Sequence, residues 1–439
     1  MQLPRPTFVG APNYQLSKLK FYFVFCSLLI AHCSLLILSG YAVANPLDLT
    51  KPPSSSPQPQ LLTQQKLKIG CILPLSGEGA AIGQRVLEGI QLAFNSFNVS
   101  EIPQKVDLPA LQLVIKDSGG EVNAVHLLES LAKEEDMAAI IGPLFSKTVI
   151  ASAKVADKYK LPIFSPTASS KNISGISPYI FRNSLTNQIQ GKAIAYYSVN
   201  HLNLRKFAVL YQRDQYGIEL KSAFEDEVKS FGGEIIFSEP FDPDQNDFEP
   251  QIAAIGGIKD SDLRKLTDAG KPLNDSIRGK PKPELKYEAI FIPGTADRVG
   301  LILPELVYYN ISDIPILGGN GLNSTDLIRI GGKYAEGVIF ADGFFQSSEN
   351  PIVKEFVERY KIFYNKEPDI HAANSYDAAR ILLDIIKNGA KNREDIKNGL
   401  LNIKEYNGVS GITTVQSSGD SEKTLYFLTV KHGKIVEMK

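Results

Sequence analysis

From residue 66 onward, short apolar runs alternate with longer stretches in which apolar residues recur every three or four positions. The runs at 68–74, 111–115, 138–141 and 161–164 have the length and composition of buried strands. Between them, 84–98 sets Val86, Ile90 and Phe94 on one helical face, and 121–134 reads as a second helix. A third helix begins near Ser146, with Val149, Ala153 and Ala156 spaced four and three apart. The alternation restarts around Phe181-Arg182-Asn183-Ser184. It predicts strands at 207–211, 234–237, 289–293, 314–317 and 338–341, and helices at 187–202, after QRDQYG to about 231, at 248–255 and up to 309. Helices resume at 351–365, over SYDAARILLDIIKNG, and at 393–401. The tail reads as a hairpin turning at Ser417-Ser418-Gly419-Asp420, with 424–430 alternating. Strands regularly followed by helices predict parallel sheets covered on both faces. Two successive series hold too many strands for one comfortable sheet. The expected fold class is therefore α/β, with two doubly wound parallel-sheet lobes.

The stretch from 138 to 170, AAIIGPLFSKTVIASAKVADKYKLPIFSPTASS, carries the first functional signal. It reads as strand, Gly142-Pro143 turn, helix, strand, and a closing turn Ser165-Pro166-Thr167-Ala168-Ser169. Two consecutive parallel strands then deliver hydroxyls at their carboxyl ends, where open parallel sheets bind ligands. Ser146 stands where an N-cap serine would stand, and the free N–H groups of a helix start suit a carboxylate or another anion. The alternative is that Ser146 and Ser169 simply cap helices.

The 439 residues exceed one domain's usual share. A 43% hydrophobic and 22% charged composition is ordinary for a soluble globular chain, and a net charge of −1 offers nothing to nucleic acid. Lys18 and Lys20 precede an apolar run at 21–38, and Ala42-Val43-Ala44 follows it. This reads as a secretory signal over 1–44, with 1–17 dispensable to it. The near-spanning length of the run leaves an uncleaved membrane anchor as the alternative. Cys33 follows His32, which is too large for a lipoprotein pattern. Cleavage after Ala44 removes Cys26 and Cys33 and leaves Cys71 in an apolar strand, so the mature fold relies on its core. Residues 45–65 are rich in Pro, Ser and Gln and read as a tether. The charge-rich insertion at 256–286 alternates in sign and reads as a solvated excursion.

Catalytic patterns are missing. Gly77, Gly79 and Gly83 do not have dinucleotide-fingerprint spacing, and there is no GxSxG. His126, His201, His371 and His432 are scattered without metal-ligand spacing; His126 reads as a helix-surface residue and His371 as a candidate partner of Asp377. The expectation is a binding protein without catalytic residues, metal or cofactor.

The motifs KIGCILPLSG, a GxxxxEG pattern from Gly83 to Gly89, IIGPLFS, LPIFSPTASS, YIFRNS, LYQRDQYG, DFEPQI, GGNG, YAEGVIF and SYDAARIL occur in that order from about residue 66 onward. As an ordered set they resemble the type I periplasmic solute-binding proteins of branched-chain amino acid ABC importers, the leucine-binding group. The resemblance implies two lobes joined by three crossovers, with ligand held in the cleft between them. Lobe one would comprise 66–184 and 344–415. Lobe two would comprise 185–343, including the insertion, and the tail 416–439. The family's ligand contacts fall on Ser146, on Thr167 and Ser169, on Tyr216, and on Thr295, where the family often has an aromatic residue. The acid that pairs with the ligand's ammonium falls on Asn320. An amide cannot neutralise an ammonium, and an unpaired buried charge is costly. This departure implies ligands whose amine is absent, acylated or neutral, unless another acid such as Asp297 reaches in. The implied function is periplasmic capture of an amino-acid-like solute by hinge closure, with delivery to an ABC permease and no nucleic-acid partner. The charged insertion resembles a branch of the fold that includes penicillin-binding-protein activators, which leaves a regulator of a cell-wall enzyme, or a ligand sensor, as the alternative.

Overall fold

The structure, a computed structural model, describes residues 66–77, 79–100, 110–258 and 283–438, with 98–100 and 110 described by backbone alone. The signal at 1–44, the tether at 45–65 and most of the charged insertion lie outside the described residues.

The first sheet has five parallel strands in the order β2-β1-β3-β4-β5: β1 Lys66–Leu73, β2 Ala110–Asp117, β3 Met137–Ile141, β4 Ile163–Ser165 and β5 Ile180–Arg182. Every residue of β3, β4 and β5 is buried. That is the reason these strands are continuous apolar runs: helices cover both faces, so no position looks to water. Helices α1 (Ala80–Ser100), α2 (Glu121–Ala132) and α3 (Ser146–Tyr159) belong to this lobe. So do three helices from much later in the chain, numbered below as α9, α10 and α11. Helix α1 crosses one of them at the distance of backbone contact. A Cβ on Gly89 would collide with both Ala372 O and Ser375 Oγ. Next to it Glu88, 4% exposed, accepts hydrogen bonds from Tyr360 OH and Lys366 Nζ.

The second sheet has seven strands in the order β15-β14-β10-β9-β8-β6-β7. Strands β6 (Lys206–Gln212), β7 (Glu234–Phe241), β8 (Ala289–Phe291), β9 (Ile316–Gly318) and β10 (Ile339–Asp342) run parallel, while β14 (Tyr426–Lys431) and β15 (Lys434–Glu437) add an antiparallel edge. Helices α4 (Asn187–Asn200), α5 (Gln215–Ser230), α6 (Glu249–Gly256), α7 (Ala296–Tyr308) and α8 (Thr325–Gly331) complete this lobe. The parallel part, β7-β6-β8-β9-β10, repeats the strand order of the first sheet. Each lobe therefore has one place where successive strands go to opposite sides, β1/β3 in the first and β6/β8 in the second. Ligand crevices form outside the carboxyl ends of strands at such points.

The chain passes between the sheets three times: after β5, after β10, and between β13 and β14. After β10 it forms α9 (Pro351–Tyr364), α10 (Ile370–Lys387) and α11 (Arg393–Leu401), then a small antiparallel sheet of β11 (Tyr406–Gly408), β12 (Gly411–Val415) and β13 (Ser421–Lys423). The tail thus contains two hairpins where the sequence pattern predicts one. The first turns at 416–420 and joins β12 to β13; the second turns at His432-Gly433 and joins β14 to β15 in the other sheet.

Buried polar groups pin these passages. Arg182, 2% exposed, donates from Nε to Asp420 Oδ1 at 2.7 Å and from Nη1 to Ser170 O, and its own carbonyl accepts from Ser421 Oγ at 2.7 Å. Asp377 in α10 accepts from the N–H groups of Val409 and Ser410 and from the Ser410 hydroxyl. Lys423 donates to Ser410 Oγ at 2.9 Å and Thr413 Oγ1 at 2.7 Å. Burial pushes the Lys423 ammonium down to about 8, against the attraction of Asp377. His371 is not part of this network. Asp377 is satisfied by Val409 and Ser410, in the turn between β11 and β12, and His371 has its titration lowered by burial, with the charges of Asp369 and Arg85 opposing each other around it.

Candidate functional site

The carboxyl ends of the strands at the two reversal points deliver the residues between the lobes. A cavity of about 230 Å³ is walled by Glu121, Phe145, Ser146, Lys147, Ser169 and Ser170 of lobe one and by Asn187, Gln215 and Tyr216 of lobe two. Depressions of about 390 and 500 Å³ lie elsewhere. One is at the amino ends of β1 and β3, around Leu67 and Met137; the other is between the end of α10 and α11, around Asn388 and Asn398. Neither is at a strand carboxyl end, so the smaller, two-sided cavity is the candidate site.

Ser146 lines this cavity but does not cap α3. Phe145 is the N-cap residue, without a side-chain cap, and Ser146 opens the helix. The Ser146 hydroxyl oxygen instead accepts from Ser170 N at 3.3 Å, tying the β4 loop to the start of α3. Ser169 also lines the cavity without capping a helix. Its carbonyl accepts from Asn187 N at 3.3 Å across the first crossover, and the cap in this turn is Ser170, whose hydroxyl oxygen accepts from Asn172 N. Thr167 does not line the cavity; its hydroxyl donates to Leu144 O at 2.6 Å.

In lobe two, Asp214 caps α5 by accepting from Gly217 N at 2.7 Å, which sets Gln215 and Tyr216 at the cavity wall. Tyr216 OH donates to Asn320 Oδ1 at 3.1 Å and accepts from Gly321 N at 3.0 Å. Burial holds this phenol protonated far above its ordinary range. Asn320 is thus one bond behind the wall, with its backbone N–H donating to Gln190 Oε1 at 3.0 Å. Thr295 is at the N-terminus of α7 without capping it. Its N–H and its hydroxyl both donate to Gln212 Oε1 at 3.1 Å. The structure therefore brings Ser146, Ser169 and Tyr216 together at the cavity, and holds Thr167, Thr295 and Asn320 in the shell around it. Asp297 is committed to Arg298, which is 3.0 Å away and also grips Gln245 O and Asn246 Oδ1. Burial alone would raise the Asp297 carboxyl, but the hydrogen bond and the charge of Arg298 help keep it below its ordinary value.

Sequence reading missed Asn187, Ser170 and Glu219. Asn187 is 2% exposed, and its Nδ2 donates to Glu219 Oε2 at 2.9 Å while its Oδ1 has no partner. The available signal was its place directly after Thr186, whose hydroxyl oxygen caps α4 by accepting from Ile189 N: a polar side chain at the first crossover faces the cleft. Among the described residues, no group of three or more His, Cys, Asp or Glu could hold a metal, and no helix is long and apolar enough to cross a membrane. Cys71 is buried, and burial alone pushes its thiol far up.

Known proteins share this fold. The Leu/Ile/Val-binding protein homolog 3 of Brucella melitensis is 22% identical over 379 residues, covering 85% of this chain and 94% of its own. The branched-chain amino acid transporter substrate-binding protein LivJ of Streptococcus pneumoniae, solved with isoleucine, is 27% identical with a TM-score of 0.65, over 85% of this chain and all of its own. A Rhodopseudomonas palustris ABC-transporter solute-binding protein, solved with benzoate, has the same fold at 19% identity and a TM-score of 0.65, over 85% of this chain and 95% of its own. The family model for periplasmic binding proteins matches residues 66–434. With that match spanning both lobes, the chain belongs to the periplasmic binding protein family, among the type I solute-binding proteins of the leucine-binding group.

Proposed function

We propose that this protein is the solute-binding component of an ABC importer and that it captures an amino acid or a related small polar metabolite by hinge closure. The observation that supports this is the two-sided cavity of about 230 Å³, with Ser146 and Ser169 of one lobe opposite Tyr216 and Asn187 of the other. That volume is below the range of drug-sized pockets and suits a small solute. The start of α3 offers unpaired backbone N–H groups and a local positive field to a ligand carboxylate, with the Ser146 hydroxyl as an added donor. Thr167, Thr295 and Asn320 act by holding the strand-end loops and Tyr216 in position. The function requires no covalent step: two lobes joined by three passages of chain close over the solute, and the closed form is what the permease receives. The N-terminal segment exports the chain to the periplasm.

A thermal-shift screen against small metabolites tests this reading, because a ligand that binds only the folded state raises the melting temperature. Stabilisation by a small polar solute, lost when Ser146 is replaced, is the expected result. A screen in which no amino acid, organic acid or other small polar solute raises the melting temperature refutes it.

A further inference from the structure

Two acids stand at the cavity: Glu121 of lobe one lines it and is exposed, while Glu219 of lobe two lies behind the wall, at a position no family motif announces. Glu219 is in the second turn of α5, one hydrogen bond behind the wall. Its carboxylate accepts from Ser170 Oγ at 2.7 Å, Asn187 Nδ2 at 2.9 Å, Gln215 Nε2 at 3.2 Å and Lys171 N at 3.4 Å. Ser170, Asn187 and Gln215 all line the cavity. Every one of these donors is neutral, and among the described residues no cationic side chain is at ion-pair distance from Glu219. A carboxylate only accepts, so the Asn187 amide must turn its Nδ2 toward Glu219. Its Oδ1 is the end left over, buried and without a partner on a residue that lines the cavity. A buried acceptor is costly to leave unmet. The species that satisfies both features is a hydrogen-bond donor with positive charge.

We propose that Glu219, acting through Asn187, is the charge partner of a cationic amine on the ligand, and that the solute is therefore amine-bearing. This rests on the reading of the cavity as a solute site. Asn187 Oδ1 receives the N–H of the ammonium, while the Glu219 carboxylate supplies the compensating charge one bond behind. Lys147 and the start of α3, on the other wall, take the acidic end of a zwitterion. The arrangement replaces the family's acid at the end of β9, where Asn320 is neutral and already engaged with Tyr216. It also revises the expectation of a neutral ligand drawn from Asn320. The same carboxylate bonds Ser170 and Lys171 of lobe one from a helix of lobe two, so the charge is in position only when the lobes are together.

The test compares matched ligands by calorimetry after a thermal-shift screen of the purified protein. The probes are the free α-amino acids, the keto acid and N-acetyl form of each, and benzoate. The wild type should bind one or more free amino acids and discriminate against the deaminated and acylated forms. Glu219→Gln should weaken the best amino acid by roughly tenfold to a hundredfold, as expected for removing a charge a few ångströms away in a partly buried site, and weaken the keto acid much less. Asn187→Ala should shift the same ratio in the same direction, which keeps the test decisive if the Glu219 variant does not fold. Equal losses for both ligand classes would reduce Glu219 to a contact between lobes and overturn the proposal. Wild-type binding of keto acids or benzoate as tightly as amino acids would also overturn it, while leaving solute capture standing. A screen with no hit at all would instead refute the capture reading.

Discussion

Asp342 ends β10 where the chain leaves lobe two, at the second of the three passages, and it is fully buried. It accepts from Asn323 Nδ2 at 2.7 Å and from its neighbour Gly343 N at 2.6 Å, with no cation beside it among the described residues. Burial pushes its carboxyl up from 3.8 to about 7; these hydrogen bonds oppose the rise, and the charge of Asp369 adds to it. A folded-state value above the unfolded one means that the folded protein holds the proton over the window from about 4 to about 7, where the unfolded chain has released it. Stability therefore falls as pH rises through that window, and above it the cost is complete. A tenfold difference in proton affinity between the two states corresponds to ~1.4 kcal/mol, so the cost is about 1–2 kcal/mol at pH 5 and about 4 kcal/mol at pH 8, an increase of about 2–3 kcal/mol. Asp342→Asn cannot ionise and lacks this dependence. The two proteins should be unfolded in urea at pH 5 and pH 8. The variant forfeits one accepting oxygen, a fixed loss of roughly 1–3 kcal/mol, so the informative quantity is the change in the difference between the proteins. That difference should move by about 2–3 kcal/mol in favour of the variant between the two pH values. Parallel behaviour at both would show that the carboxyl titrates alike in the folded and unfolded states, and that its burial carries no such penalty.

Three further outcomes are expected. Ser146→Ala should weaken the strongest ligand by roughly 1–3 kcal/mol, about tenfold to a hundredfold in calorimetry; unchanged affinity would confine Ser146 to its bond with Ser170. Gly89→Ala should cost about 1–3 kcal/mol of stability and lower the urea midpoint accordingly, because its Cβ would collide with Ala372 O; an unchanged midpoint would contradict that helix contact. N-terminal sequencing of exported protein should begin near Asn45, and an intact N-terminus in the membrane fraction would refute cleavage.

The lobes are legible in the sequence because buried parallel strands are a local signal. Runs such as MAAII at β3 and the Ile163-Phe164 start of β4 have no polar position that breaks them into alternation, and the intervening helices announce themselves by their period. The tail is harder for a related reason. Alternation marks a strand but not the sheet it joins, and the pass at Thr424-Leu425 sends β14 to lobe two while β13 stays with β12. At the site, the strand-end rule places Ser146 and Ser169 at the cavity, yet it does not give their bonds. Capping is predicted from a residue's own helix, whereas the Ser146 hydroxyl is claimed by Ser170, 24 residues later.

The charge in the cleft is illegible for a deeper reason. A family motif specifies a backbone position, and at that position this chain has Asn320, from which the loss of an acid is a fair reading. A cavity, however, registers the field at a point in space, and a side chain from another element can reach that point. Glu219 comes from α5, and the donors it collects lie 48 and 49 positions before it in lobe one, 32 before it at the crossover, and four before it on its own helix. No period or motif links these four, because what joins them is the passage of the chain from one lobe to the other between Ser169 and Asn187. The orphaned Asn187 oxygen makes the relation visible, since its orientation follows from the carboxylate on one side and its unmet capacity points to what the other side must supply.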